Sequence, residues 1–339
     1  MKIALFWDSA INIDSYYVKD GEAFSYWTDK PFTFHHSISS KCFPVIHNYQ
    51  WFGETGTFLN LSEWVDRDLD FPDLDVDLIF YACERQGLDN ATWDDYSIER
   101  LKRRYPNAKI IGSLKEVNVK PERVQNRLKF LKSCDDLHSE NPKNEETKKV
   151  FSVIEDYTGM KIKFFKQPQN INYYYENFYS DEKINGIYAY MPNPIHRRGR
   201  TYEFANYIGD KYNLPVKTKP LNSGQDFDHL GHKEFIELWS PYFYHFNLDP
   251  TTIHPGTQVV QVAMVGSINI GGLNQHHHIY YPETATIDEV VLEKKIVEYI
   301  NNPEKRFEVI ENAWKKVNEL NSLAVIKKHI EECWGKIND

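Results

Sequence analysis

Hydrophobic residues in this chain come in short unbroken runs separated by stretches of helical period. Lys2–Trp7 is apolar up to Asp8 and reads as a buried strand, as do Asp77–Cys83 and Lys109–Leu114. Leu61–Leu69, Trp93–Tyr105, Pro121–Ser133 and Glu145–Tyr157 read as helices. Pro106 ends the second, a proline opens the third and Gly159 closes the fourth. The stretch from Ser9 to Gly56 is aromatic and poorly periodic, and predicts loops and short strands. A polar connector, Lys166–Glu182, follows, and then the alternation restarts. Strands are expected at Ile187–Met191, Pro215–Lys219, Tyr242–Phe246, Ser267–Ile270 and His278–Tyr281. Helices are expected at Thr201–Tyr212, Lys233–Trp239 and Thr257–Val265, and almost without break from Ile287 onward. Strands alternating with helices predict parallel sheets covered on both faces. Because the pattern occurs twice, the expected class is α/β, with two Rossmann-like domains facing a cleft and ligands at the C-terminal ends of the strands.

Length supports two domains, since 339 residues exceed what one core usually organises. No apolar run reaches a membrane span, and the start has no signal-peptide pattern. Four dispersed cysteines, none in a CxxC pair, predict neither a disulfide framework nor a zinc site and suit a reducing cytoplasm. The formal net charge of −9 disfavours a general nucleic-acid binder, but the average hides a local contrast. From Arg100 to Lys132 there are eleven basic residues and two acidic ones, an excess of nine positive charges. That segment can meet an anionic partner, or it can be a pair of solvated helix faces.

The residues with chemistry cluster after strands. Ile195–Arg200 reads IHRRGR, so Arg197, Arg198 and Arg200 sit where a strand leads into a helix. Guanidinium groups beside a helix N-terminus suit a diphosphate, although an exposed basic turn would look alike. Further on, His254, Gly256, Thr257 and Gln258 lead into a helix, and Gly271 and Gly272 end a strand where the backbone turns sharply or approaches a ligand. Glu116, just past a strand, is placed to act as a base, or to pair with Lys115 or Lys120 on the surface. Asp8 and Glu22 are further carboxylate candidates. Asp73-Leu74-Asp75 has the form of a metal-binding DxD but lies in an acidic turn, and His276-His277-His278 reads as a loop contacting donor or acceptor, or as an inert one. There is no P-loop, no GxGxxG after the first strand and no GxSxG.

These motifs resemble the GT-B nucleotide-sugar glycosyltransferases. The resemblance rests on the basic turn, on the helix QVAMVG (Gln261 to Gly266) in place of the family's EAMASG-type helix, and on terminal helices like the one that crosses back to the first domain. It implies a GT-B fold divided as 1–170 for the acceptor, 171–316 for the donor and 317–339 for the returning helix. Gln261 stands where the family has its ribose-binding glutamate, and the arginines match the diphosphate clamp. The start MKIA, the basic turn and the position of Glu116 after KIIGSLK also resemble phage glucosyltransferases that modify hydroxymethylated DNA bases. The implied activity is metal-independent transfer of a sugar from a nucleotide sugar, a UDP-sugar as co-substrate and no cofactor, to a hydroxymethylpyrimidine in DNA. Lys120, Arg123 and Arg127 would face the DNA backbone, the last two being four residues apart on one helix face. The implied setting is a monomer in the cytoplasm of an infected bacterium. A glycan or lipid acceptor, a nucleotide-sugar epimerase, and a non-catalytic nucleic-acid or glycan binder are the alternatives.

Overall fold

The computed structural model describes residues 3–8, 16–19, 22–25, 58–60, 76–83, 98–99, 101–114, 128–139, 145–166, 169, 171–189, 200–218, 236–250 and 257–335. The chain divides into two units. One is Met1–Gln169 together with Leu323–Asp339, and the other is Asn170–Ser322.

The first unit is built on a six-stranded sheet. Its strands are β1 (Ile3–Asp8), β4 (Phe58–Asn60), β5 (Leu78–Cys83), β6 (Lys109–Leu114), β7 (Asp136–Ser139) and β8 (Ile162–Phe164), in the order β4-β1-β5-β6-β7-β8. Every pair in it is parallel. Strands β2 (Tyr16–Lys19) and β3 (Glu22–Ser25) form a separate antiparallel hairpin. Unbroken apolar strands are what a sheet covered on both faces requires, and Leu78, Ile79, Phe80, Tyr81, Ile110 and Ile111 are all fully buried. Helix α1 (Glu145–Thr158) adds Val150, Phe151 and Ile154 to this core.

The second unit has a smaller parallel sheet of β9 (Ile184–Ala189), β10 (Val216–Thr218), β11 (Tyr242–Phe246) and β12 (Ile268–Ile270), in the order β10-β9-β11-β12. Its helices are α2 (Ile171–Phe178), α3 (Thr201–Tyr212), α4 (Thr257–Met264), α5 (Gln275–Tyr280), α6 (Glu289–Asn301) and α7 (Pro303–Asn321). Trp239, Tyr188, Tyr244 and Phe246 are buried at its centre with Val259, Val262 and Ile296.

Helix α8 (Leu323–Trp334) belongs to the first unit. Trp334, at its end, stands edge-on to Phe80 at 5.4 Å and to Phe165 at 6.0 Å between ring centroids. Its indole N–H donates to Asp136 Oδ2 at 2.9 Å. Lys163 is ion-paired with the same carboxylate and lies 4.9 Å from the centre of the indole ring.

The α/β class and the parallel sheets agree with the sequence reading, but two segments differ. Of the expected strand His278–Tyr281, the first three residues lie in helix α5 and Tyr281 is its C-cap. Asn274 caps that helix, its Oδ1 accepting the His277 N–H at 3.2 Å, so the chain turns into a helix as soon as β12 ends. The polar connector Lys166–Glu182 contains α2, whose Ile171, Tyr174 and Phe178 share one buried face. Strands β7 and β8 are four and three residues long, too short for a periodic signal. The expected helix Leu61–Leu69 and the turn Asp73–Asp75 lie outside the described residues.

Candidate functional site

In a parallel sheet, a crevice opens at the C-terminal edge where the chain reverses its direction of winding. In the second unit the chain runs from β9 outward to β10 and returns to β11 on the other side of β9, so that point lies between Ala189 and Phe246. The segments leaving these two strands lead to helices α3 and α4, the region where the sequence concentrates its arginines, His254 and Gly256.

Arg200 is the N-cap residue of α3, and its side chain makes no capping bond. Its Nε is paired with Glu289 Oε1 at 3.1 Å, and the Arg200 side chain is 72% exposed. Glu289 lies in the first turn of α6, where an acidic side chain suits the helix dipole. Next to Arg200, buried Thr201 ties α3 to the sheet edge, because its Oγ1 accepts the Leu248 N–H at 2.9 Å.

The segments after β11 and β12 are laced together. The Asn247 N–H donates to the Ile270 carbonyl at 2.9 Å, and the Leu273 N–H donates to the Asp249 carbonyl at 3.1 Å. Gly271 and Gly272 both have φ of +93°, a left-handed conformation that favours glycine. Space demands glycine too. A side chain at Gly271 would press on the Asn247 carbonyl and Leu248, and one at Gly272 would fall on the His277 ring.

Polar side chains around this edge are buried but incompletely bonded. Gln258, in the first turn of α4, has neither amide atom in a hydrogen bond, and Asn247 Oδ1, Asn269 Oδ1 and both ring nitrogens of His277 also have no partner. All four residues are more than nine-tenths buried. Leaving such an atom unpaired costs about 1–3 kcal/mol, so a cluster of them is an argument for a ligand or ordered water. Burial holds the His277 pKa down at about 3, so its imidazole is neutral at physiological pH.

Gln261, one turn beyond Gln258, faces the interior. Its Nε2 donates to the Tyr174 hydroxyl on α2 at 3.0 Å. The phenol pKa is raised far above its ordinary value, chiefly by burial. Thr257 is the first residue of α4. The second unit thus brings Arg200, Gln258, Gly271 and Gly272 to one sheet edge, and engages Gln261 in its own packing. Asn247, Asn269 and Thr201 were missed by the sequence reading; for Asn247 the available signal was a polar residue directly after a buried strand.

In the first unit, the reversal lies between β1 and β5, since β1 leads to β4 on one side and β5 pairs on the other. Asp8 ends β1 at that point, in register with Cys83. Glu22 lies in the hairpin opposite Lys19. Glu116, Lys120, Arg123, Arg127, Arg197, Arg198, His254 and Gly256 lie outside the described residues. Among the described residues no group of three His, Cys, Asp or Glu side chains is gathered as metal ligands would be. None of the described helices is long and apolar enough to cross a membrane.

Two open parallel sheets, each with a reversal at its C-terminal edge and with the last helix assigned to the first unit, match known structures over nearly the full chain. An alpha-glucosyltransferase in complex with UDP aligns with a TM-score of 0.61 at 10% identity, over 98% of this chain and 99% of that one. The chain has the GT-B fold. Another GT-B structure, an alpha-glucosyltransferase in complex with UDP-glucose and DNA containing an abasic site, gives a TM-score of 0.60 at 10% identity, over 98% and 99% of the two chains. Anabaena HepE in complex with UDP gives 0.56 at 10% identity, again over 98% and 99%. No family model matches the sequence, and no curated protein matches it. The likeness is therefore one of GT-B architecture, carried by how the strands are ordered and not by shared residues.

Proposed function

We propose that this protein is a glycosyltransferase that moves a sugar from a UDP-sugar to an acceptor hydroxyl. The observation that carries this reading is the full-length GT-B likeness to chains solved with UDP and with UDP-glucose. In this reading residues 171–316 hold the donor and residues 1–170 the acceptor, with 317–339 returning to the first domain. Arg200, with Arg197 and Arg198, faces the diphosphate, and the free N–H groups at the start of α4, next to Thr257 and Gln258, add positive potential where the leaving group gains charge. His254, Gly256, Gly271 and Gly272 complete the donor surface. Glu116 takes the proton from the acceptor hydroxyl as the anomeric carbon is attacked, with Asp8 and Glu22 as the next carboxylates to test. Arginines and helix N–H groups supply the positive charge, so no divalent metal is required.

For the acceptor we favour a hydroxymethylated pyrimidine in DNA. The support is the basic segment Arg100–Lys132 of an otherwise acidic chain, together with the DNA present in one matched glucosyltransferase structure. Lys120, Arg123 and Arg127 would contact phosphates, and a base in a duplex would have to flip out to reach the carboxylate.

The test is a thermal-shift series with UDP, other nucleoside diphosphates and UDP-glucose, followed by transfer of labelled glucose to hydroxymethylated and to plain DNA, with and without EDTA. Stabilisation by UDP and transfer to hydroxymethylated DNA that survives EDTA is the expected result. No stabilisation by any nucleotide or nucleotide sugar overturns the glycosyltransferase reading. Stabilisation with transfer only to glycans or lipids overturns the DNA acceptor alone.

A further inference from the structure

The unpartnered polar atoms at the edge of the second sheet differ in character from the arginines near them. Asn269 donates its Nδ2 to the Gly271 carbonyl at 3.0 Å, which fixes its amide orientation and turns its free Oδ1 elsewhere. Asn247 Oδ1 is free on the neighbouring segment. His277 lies against Gly272, where the missing side chain leaves the edge of the ring that carries both nitrogens next to the Gly272 Cα. The backbone around these groups is held firmly. The Gly271 N–H donates to the Thr284 carbonyl at 3.1 Å, and Thr284 Oγ1 donates to the Asn269 carbonyl at 2.6 Å.

We propose that Asn247, Asn269 and His277 form a neutral pocket that reads hydroxyl groups of the sugar carried by the donor. The chemistry of the set selects the ligand class. Two amide oxygens are acceptors, and a neutral imidazole offers one donor and one acceptor. A hydroxyl both donates and accepts, so vicinal hydroxyls satisfy the set. A phosphate only accepts; it would face two carbonyl oxygens with a single imidazole N–H to donate, since burial suppresses the imidazolium. The diphosphate accordingly belongs towards Arg200 and the start of α4, and the sugar towards β12.

This proposal rests on the glycosyltransferase reading, and the experiment separates the two. Isothermal titration compares UDP with UDP-glucose on wild type and on His277→Phe, which keeps a ring beneath Gly272 and removes both nitrogens. UDP affinity is expected to stay within twofold, and UDP-glucose affinity to fall at least tenfold. Wild type should lose a similar factor for one UDP-deoxyglucose, and the variant should not distinguish that analogue from UDP-glucose. If wild type binds neither UDP nor UDP-glucose, the glycosyltransferase reading fails and this proposal with it. If wild type binds both and His277→Phe loses nothing, or loses both equally, the pocket holds water or only supports the fold, and this proposal alone is overturned. Should the variant not fold, ¹⁵N spectra of the wild-type imidazoles decide. One neutral ring must shift on adding UDP-glucose but not UDP, and an unmoved spectrum overturns the pocket.

Discussion

Replacing Trp334 with alanine removes the anchor that holds the end of α8 to the first unit. Truncating a fully buried large aromatic costs about 3–5 kcal/mol. Trp334 is half-buried, so the lower end, about 3 kcal/mol, applies. Trp334→Phe dissects that figure. Phenylalanine keeps edge contacts to Phe80 and Phe165 but loses the N–H that donates to Asp136. A hydrogen bond to a charged group contributes about 1.5–3 kcal/mol, and partial exposure reduces this to about 1–2 kcal/mol. The remaining 1–2 kcal/mol is then packing and the Lys163–indole contact, each aromatic or cation–π pair being worth about 0.5–1.5 kcal/mol. Hydrogen exchange read on peptides from α8, with α7 in the second unit as internal reference, measures this locally. Since about 1.4 kcal/mol is tenfold in an opening equilibrium, α8 protection should fall roughly a hundredfold in Trp334→Ala and about tenfold in Trp334→Phe. Protection within threefold of wild type in Trp334→Ala would refute the claim that this side chain fastens the helix.

His245 and His277 are both held at a pKa of about 3, mainly by burial, against 6.5 unperturbed. The unfolded chain binds more protons between those values, so their neutral burial costs nothing above pH 6.5 and destabilises the fold progressively as pH falls towards 3. At least two of the thirteen histidine Cε1 proton signals should therefore stay fixed from pH 7.5 to 5, and thirteen titrating signals would contradict their burial. Gly209→Ala improves helix propensity in α3 but drives a methyl group into Val216 on β10; a net loss of about 1–3 kcal/mol, and so a lower Tm, is expected, and an unchanged or raised Tm would show that β10 yields. Gln258→Leu removes two unpaired buried polar atoms, so stability should hold or rise by about 1 kcal/mol while UDP affinity drops about tenfold; a variant that binds UDP normally excludes Gln258 from the donor site. Charge reversal at Arg123 and Arg127 should flatten the salt dependence of DNA binding by about 0.9 log units per lost phosphate contact and leave UDP affinity unchanged. An unaltered slope would remove those two residues from the DNA surface.

What could be read from the residues alone was whatever depends on neighbours in sequence. The bounds of β6, β11 and α3 coincide with the expected Lys109–Leu114, Tyr242–Phe246 and Thr201–Tyr212, because an unbroken apolar run and an amphipathic period are local properties. The paired α/β alternation and the basic turn were legible for the same reason. Helix α2 was hidden because its apolar residues are spaced among tyrosines and asparagines that also suit a connector, and only packing against α4 reveals which face is buried. The histidine run at 276–278, read as a loop leading into a strand, is helical because Asn274 caps it after the two left-handed glycines turn the chain. Strand order was beyond reach too, since parallel pairing joins residues far apart in the chain, and it is this order that sets the reversal beside Arg200 and Gln258. The contrast between Gln258 and Gln261 is the clearest case. Three residues apart on one helix with the same amide, one is bonded to Tyr174 and the other is buried with its amide unpaired. Propensity and period are equal for both; only the neighbours that folding brings to each face assign one to the core and leave the other's hydrogen bonds to be completed.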